Sequence, residues 1–301
     1  MRIGVIGSMG CVGQAVYNGL IRHHQVVGYD IKNKRVSIYE EILKTEMVFI
    51  CLPTPTLKNG QDLSVIERSL RNLNVREYKG IVVIKSTVLP GSCEKFKKNF
   101  PNLTIVHNPE FLSQKTANND FENQKEIVLG GWDDDALKEV FRAHKPLGVK
   151  RARVGTPVQS ELIKYLHNVF LTVKVGVLNE LYDVCSEHGA EFQPLMDVAA
   201  DITGWINKRH ISVPNEGKFG YGGECFPKDI GALYEKYKFL NLDIINGCIE
   251  SNGRRRKDAK NLIRKPLNII EDKANVSQRT NRRSRQQRAT PGKIRTSKVS
   301  R

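Results

Sequence analysis

The feature that most limits how this chain can fold is a run of short apolar segments, each followed by helical periodicity. "RIGVI" (Arg2–Ile6) leads through a glycine-rich turn into a helical stretch, Val12–His23, and then into "QVVGYD" (Gln25–Asp30). The alternation continues with a helix near Lys34–Lys44 and the strand "MVFICLP". Next come a helix from about Leu63 to Leu73, with Asp62 as its expected N-cap, and the strand "GIVVIKST". "LTIVHNPEF" and "EIVLGG" read as further strands. Strands without a polar face are buried on both sides. Strands separated by helices are joined by crossovers. The chain therefore predicts a doubly wound parallel sheet covered by helices.

Past about Arg151 the texture changes. Val158–His188 is almost free of Gly and Pro, and its apolar residues fall at helical spacing: Leu162, Ile163, Leu166, Val169, Phe170, Val173, Val177, Leu178 and Leu181. One helix of some thirty residues is predicted, a spine for a helical domain and a face for a second copy of the chain. A glycine-rich loop, "FGYGGEC", follows, then helices near Ile230–Phe239 and through "GCIESNGRRRKD". The expected organisation is an α/β sheet domain over 1–150, an all-helical central domain over 151–262, and a basic tail over 263–301. The tail is too poor in apolar residues to offset the entropy of ordering and is expected to be disordered.

Charge sharpens that division. Net charge is +16, but Gly253–Arg301 holds 17 Lys+Arg against 3 Asp+Glu, while the other 252 residues hold 31 against 29. The body is nearly neutral, which argues against nucleic acid as its partner. The tail has no aromatic residue to stack bases, so it promises only sequence-blind phosphate binding. The six cysteines form no C-x-x-C pair, so neither a metal site nor a disulfide framework is expected. Reduced thiols fit a cytoplasmic protein. The chain opens directly on a strand, without a signal-peptide pattern, and no run approaches the length of a membrane helix.

Two places carry chemistry. "GVIGSMGCVG" sets Gly7, Gly10 and Gly13 between a strand and a helix, where backbone amides attract a pyrophosphate. The spacing is G-x-x-G-x-x-G, one residue longer than the usual dinucleotide fingerprint, and a plain strand–turn–helix is the competing reading. Asp30 ends the second strand, 23 residues after Gly7, placed to accept hydrogen bonds from a ribose; it favours NAD over a 2′-phosphorylated cofactor. The second place is "FGYGGECFPKD". Glycines flank Cys225 and open its sulfur to a bulky substrate. Lys228 or Lys164 would favour the thiolate, and Asp229 is placed to orient water or handle a proton. Lys164 and Asn168 are four apart on the long helix and share a face, so together they can grip a substrate oxygen; a solvated pair is the alternative. Thr87 in "KSTVLPG" and Glu110 in "NPEFL" each read as structural when taken alone.

In chain order, the glycine turn, "VVGYD", "VFICLPTPTLKNGQDLS", "VIKSTVLPG", "NPEFL", "TANNDF", "SELIKYLHNVFLTVKVGVLNEL" and "GYGGECFPKD" resemble the UDP-glucose/GDP-mannose dehydrogenase family over residues 1 to about 260. The resemblance implies a Rossmann-like NAD domain, a homodimer through the long helix, and a four-electron oxidation of a nucleotide sugar's primary alcohol using two NAD. By position it implies Cys225 as nucleophile and Lys164, with Asn168, as oxyanion stabiliser. Asp229, Glu110 and Thr87 would organise water and proton transfer. Val12, Asp30, Arg35, Pro53, Thr54, Thr87, Glu110 and Lys228 fall where the family contacts NAD, and Phe111, Leu112, Tyr221 and Gly222 where it contacts sugar nucleotide. Arg209 is the expected arginine lent to a neighbouring subunit's sugar site.

Three departures accompany the resemblance. The glycine turn is longer. Glu224 replaces a small residue beside the thiol and is expected to raise its pKa. The family also continues into a second Rossmann-like domain where this chain has its basic tail, so weak nucleotide-sugar binding is expected. Two other readings stand beside it. One is a β-hydroxyacid-type, two-electron dehydrogenase, which shares the Lys-x-x-x-Asn helix and needs no thiol. The other is an inactive scaffold whose basic tail binds nucleic acid.

Overall fold

The computed structural model of the chain describes residues 1–32, 39–57, 60–204 and 206–258. Arg35, the first part of the expected second helix, and the basic tail lie outside the described residues. Seven strands form the main sheet: β1 (Arg2–Ile6), β2 (Gln25–Tyr29), β3 (Met47–Ile50), β6 (Ile81–Ile84), β7 (Thr104–His107), β8 (Glu126–Gly131) and β9 (Arg151–Gly155). Their order across the sheet is β2-β1-β3-β6-β7-β8-β9. The remaining strands, β4 (Thr56–Leu57) and β5 (Gly60–Gln61), make a small antiparallel hairpin.

Burial on both faces explains the apolar runs. Met47 and Phe49 of β3 enter one core, which also takes Ile3, Val5 and Val83. Val48 and Ile50 enter the other, with Ile6, Val82 and Ile84. This period-two division is what a sheet sandwiched between helix layers requires. On these faces lie α1 (Cys11–Leu20), α2 (Tyr39–Ile42), α3 (Ser64–Val75), α4 (Ser92–Asn99), α5 (Ala117–Glu122) and α6 (Asp134–His144). The N-cap of α3 is Leu63, not Asp62; Asp62 sits one residue earlier, where its Oδ1 accepts the Ser64 N–H at 2.9 Å.

The sheet is mainly parallel. One junction is reversed: β7 and β8 pair antiparallel through Val106↔Gly131 and His107↔Gly130, and β9 then runs parallel to β8. The sheet also takes in Arg151–Gly155, which the sequence reading assigned to the helical half. The "RARVG" segment is mostly exposed, so it lacks the apolar run that betrays the inner strands.

The helical half comprises α7 (Pro157–Glu187), α8 (Phe192–Thr203), α9 (Phe226–Tyr237) and α10 (Asp243–Asp258). α7 starts at a capping box: the Thr156 side chain accepts the Gln159 N–H while Gln159 reaches back to Thr156, and Pro157 occupies the first turn. Its 31 residues span about 46 Å. Leu178 of α7 packs with Phe192, Met196 and Ala200 of α8. Leu166 and Phe170 remain 70% and 71% exposed, on a face that continues through Val177, Leu181 and Val184. Sheet and helices belong to one compact unit, Met1–Lys257.

Candidate active site

The carboxyl ends of β1, β3, β6 and β7 lie along one edge of the sheet, and the strand order turns around at β1. Ligands of open α/β sheets bind at such a point. Gly7 leaves β1 at φ +86°, and a Cβ there would stand 2.2 Å from the Cys51 carbonyl oxygen. A Cβ on Gly13 would stand 2.0 Å from the Gly7 oxygen. Gly10 is the N-cap of α1 and offers no side-chain cap. The first amides of α1 therefore face the turn without a side-chain partner, in the manner of an anion cradle. Asp30 closes the turn: its Oδ2 accepts the Met9 N–H at 3.0 Å and its Oδ1 the Lys32 N–H at 2.9 Å.

Beside this edge, a cleft of about 400 Å³ is lined by Glu110, Phe111, Leu112, Lys164, His167, Asn168, Arg209, Gly222, Glu224 and Cys225, among others. Three elements meet there. The loop after β7 brings Glu110–Leu112, α7 brings Lys164 and Asn168, and Cys225 is the N-cap of α9. Lys164 is buried, and its Nζ donates to the Glu110 carbonyl at 2.6 Å and to Glu110 Oε1 at 2.9 Å. The Leu112 N–H donates to the other carboxylate oxygen at 2.7 Å. Asn168 Nδ2 donates to Asp229 Oδ2 at 2.7 Å, and Lys228 pairs with Asp229 Oδ1.

The electrostatics follow from these contacts. Burial alone would raise the Glu110 carboxyl, but the Lys164 ammonium and the Leu112 N–H hold it below the ordinary range. For Cys225 the balance falls the other way. Loss of hydration, then the charges of Glu110 and Asp229, push the thiol up, and Lys164 and Lys228 only partly offset them. As the sequence reading expected, both lysines favour the thiolate; they are outweighed because each ammonium also sits on a carboxylate, so the thiol meets ion pairs rather than bare cations. Glu224 was expected to raise Cys225; its charge is felt at Cys11, which loss of hydration, Glu110 and Glu224 together raise.

The structure gathers Cys225, Lys164, Asn168, Glu110, Phe111, Leu112, Gly222 and Arg209 around one cleft, with the buried Asp229 hydrogen-bonded to Asn168. Arg209 lines the cleft of its own chain. Thr87 and Thr54 are buried at the sheet edge, where Thr54 Oγ1 donates to the Thr87 carbonyl at 2.8 Å. Lys228 Nζ reaches Thr54 Oγ1 at 3.4 Å, linking that edge to α9. Pro53 is exposed, and Val12 packs against the sheet core. Tyr221 stands apart: its ring is buried near α10, its OH donates to the Cys248 carbonyl at 3.3 Å, and Gly222–Cys225 line the cleft instead.

Two contributors were missed from sequence. Gln61 Nε2 donates to the Thr87 carbonyl at 3.0 Å and its Oε1 accepts the Leu89 N–H at 2.9 Å, pinning the loop after β6. The Asn59-Gly60 dipeptide in "LKNGQD" is a hairpin signal that could have found it. His167 adjoins Asn168 on the cleft wall; a lone histidine in a helical pattern carries no such signal. Among the described residues no group of three or more His, Cys, Asp or Glu is placed to hold a metal ion. Nor is any described helix long and apolar enough to cross a membrane.

A glycine cradle at the switch point of a doubly wound sheet, opening beside a cleft with an ammonium, an amide and a thiol, marks a Rossmann-like, dinucleotide-binding class of fold. Comparison with known proteins narrows the class. Residues 36–147 match the NAD binding domain of the UDP-glucose/GDP-mannose dehydrogenase family, and residues 158–254 match its central domain. The chain belongs to that family. It is 34% identical to a UDP-glucose 6-dehydrogenase of Rickettsia bellii (strain RML369-C), over 74% of this chain and 52% of the relative. It is 29% identical to a GDP-mannose 6-dehydrogenase of Pseudomonas aeruginosa (strain PAO1), over 87% of this chain and 71% of the relative. Among solved structures, a UDP-glucose dehydrogenase from Pyrobaculum islandicum superposes with a TM-score of 0.72 at 25% identity, covering 85% of this chain and 68% of that one. The chain thus spans about half the length of the Rickettsia relative.

Proposed function

We propose that this protein oxidises the primary alcohol of a nucleotide sugar to a carboxylate with two NAD, UDP-glucose being the proposed substrate and Cys225 the nucleophile. What supports this reading is the convergence of Cys225, Lys164, Asn168 and Glu110 on one cleft beside the glycine cradle. The amides of α1 and the backbone at Gly7, Gly10 and Gly13 would hold the pyrophosphate, Asp30 the ribose, and Thr54, Thr87 and Lys228 the nicotinamide side. NAD supplies the hydride acceptor for each oxidation. The proposed reaction balances as alcohol, two NAD⁺ and water giving carboxylate, two NADH and three protons.

Within the chain, Lys164 would stabilise the alkoxide left when the alcohol loses its proton, having a third N–H beyond the two given to Glu110. After the first oxidation the Cys225 sulfur would bond the aldehyde carbon as the thiol proton is replaced by one on the carbonyl oxygen, giving a thiohemiacetal. Loss of the hydroxyl proton and of the second hydride would leave a thioester. Water attacks its carbon, the C–S bond breaks, and the thiol is regenerated. Asp229, held by Asn168 and Lys228, would orient that water. The exposed stripe of α7 is the proposed dimer face.

The test is to incubate the chain with NAD and a panel of UDP-glucose, GDP-mannose and UDP-N-acetylmannosamine, beside Cys225→Ala. NADH formed by the parent and carboxylate lost in the variant are expected. Unchanged NADH production by Cys225→Ala would sink the thiol's role and favour a two-electron, hydroxyacid-type reaction.

A further inference from the structure

Asn168 is the hub of a hydrogen-bonded chain that fixes the protonation of a residue so far without a role. Its Nδ2 lies 2.7 Å from Asp229 Oδ2, and its Oδ1 lies 3.0 Å from His167 Nδ1. Asp229 is paired through its other oxygen with the Lys228 ammonium, so it is a carboxylate that only accepts. The NH₂ end of the amide must therefore face Asp229, and the carbonyl end His167. A carbonyl oxygen also only accepts, so His167 Nδ1 must carry the proton. A neutral imidazole has one N–H, and Nε2 is then left as a lone pair. Nε2 has no hydrogen-bond partner among the described residues, and the exposed ring stands on the cleft wall with its centroid 5.1 Å from that of Phe111 in an edge-on contact.

From this we infer that His167 is a positioning residue: it locks the Asn168 amide toward Asp229 and presents Nε2 as a hydrogen-bond acceptor to a hydroxyl of the bound sugar. The second clause rests on the nucleotide-sugar reading above; the first does not. Without His167 the Asn168 carbonyl loses the donor that opposes rotation of the amide away from Asp229. The effect passes through Asn168 and Asp229, so it belongs to turnover rather than to binding at the glycine cradle.

The test has two independent arms. Nitrogen-15 NMR of the histidine-labelled full chain, with His167 assigned by its loss in His167→Asn, reads the tautomer without any catalysis. The proton is expected on Nδ1 in the parent, with that preference lost in Asn168→Ala. A proton on Nε2 in the parent overturns the inference. In the kinetic arm, His167→Ala is expected to lower kcat about tenfold with KM for NAD unchanged, the cost of one hydrogen bond in the reacting assembly. His167→Asn, which keeps an N–H donor near the Nδ1 position, is expected to recover to within about threefold of the parent. Equal loss in both variants, or none in His167→Ala, contradicts the positioning role. Should the parent oxidise no sugar in the panel, the functional reading fails while the NMR arm still decides the tautomer.

Discussion

Cys225, the proposed nucleophile, stands close to two ion pairs, and its reactivity should report them. Lost hydration and the charges of Glu110 and Asp229 raise the thiol. Alkylation of the Cys225 peptide by iodoacetamide, followed by mass spectrometry, should therefore show a midpoint above the ordinary thiol value of about 8.5. Glu110→Gln removes one of those charges and releases the Lys164 ammonium, so the midpoint should fall. A parent midpoint near neutrality would contradict this account. A second residue-scale effect concerns His144, buried between Phe49 and Phe121 with its Nε2 unpaired. Burial pushes its pKa down to about 3. Between that value and about 6.5 the unfolded histidine binds a proton that the folded one refuses, so stability is lost as pH falls through the window. His144→Phe should remove about 2 kcal/mol of the loss between pH 6.5 and 5, read as a smaller drop in Tm. An identical drop in parent and variant would show that His144 is not the group responsible. At this scale Cys225, Lys164 and Asn168 were legible as candidates because their motifs are local, and Glu110 only through the family resemblance of "NPEFL". Gln61 and His167 were not, because what they do depends on Thr87 and Asp229, residues brought to them by the fold.

Elements divide in the same way. The inner strands were legible because burial on both faces demands unbroken apolar runs, and α7 because 31 residues of helical spacing admit little else. The exposed edge strand β9 and the short, polar α4 lack such a signature. The reversal at β8 was hidden because two residue pairs decide it. The turn into α1 makes the sharpest element-scale prediction. Gly13→Ala sets a Cβ 2.0 Å from the Gly7 carbonyl oxygen, so the turn must open. Calorimetric titration should show NAD binding weakened at least about tenfold, since one hydrogen bond lost from a charged ligand costs about 1.5–3 kcal/mol. Unchanged affinity would mean the cradle lies elsewhere. The exposed stripe of α7 predicts its own outcome: Phe170→Glu buries a charge in the proposed dimer, so light scattering should find a monomer where the parent is a dimer. A variant as dimeric as the parent would rule that face out.

For the whole molecule, charge and chemistry separate along the chain. The nearly neutral body carries the sheet edge and the cleft, while 17 of the 48 basic residues fall after Asn252. Retention on an anionic column should therefore fall sharply when Gln278–Arg301 is deleted, with oxidation of the sugar unaffected. Equal retention by both forms would place the anion-binding charge in the body. The central claim, that one thiol carries a sugar through two successive oxidations, is tested most directly by counting NADH released per nucleotide sugar consumed. The account predicts two. A ratio of one, with aldehyde as the product, would contradict it.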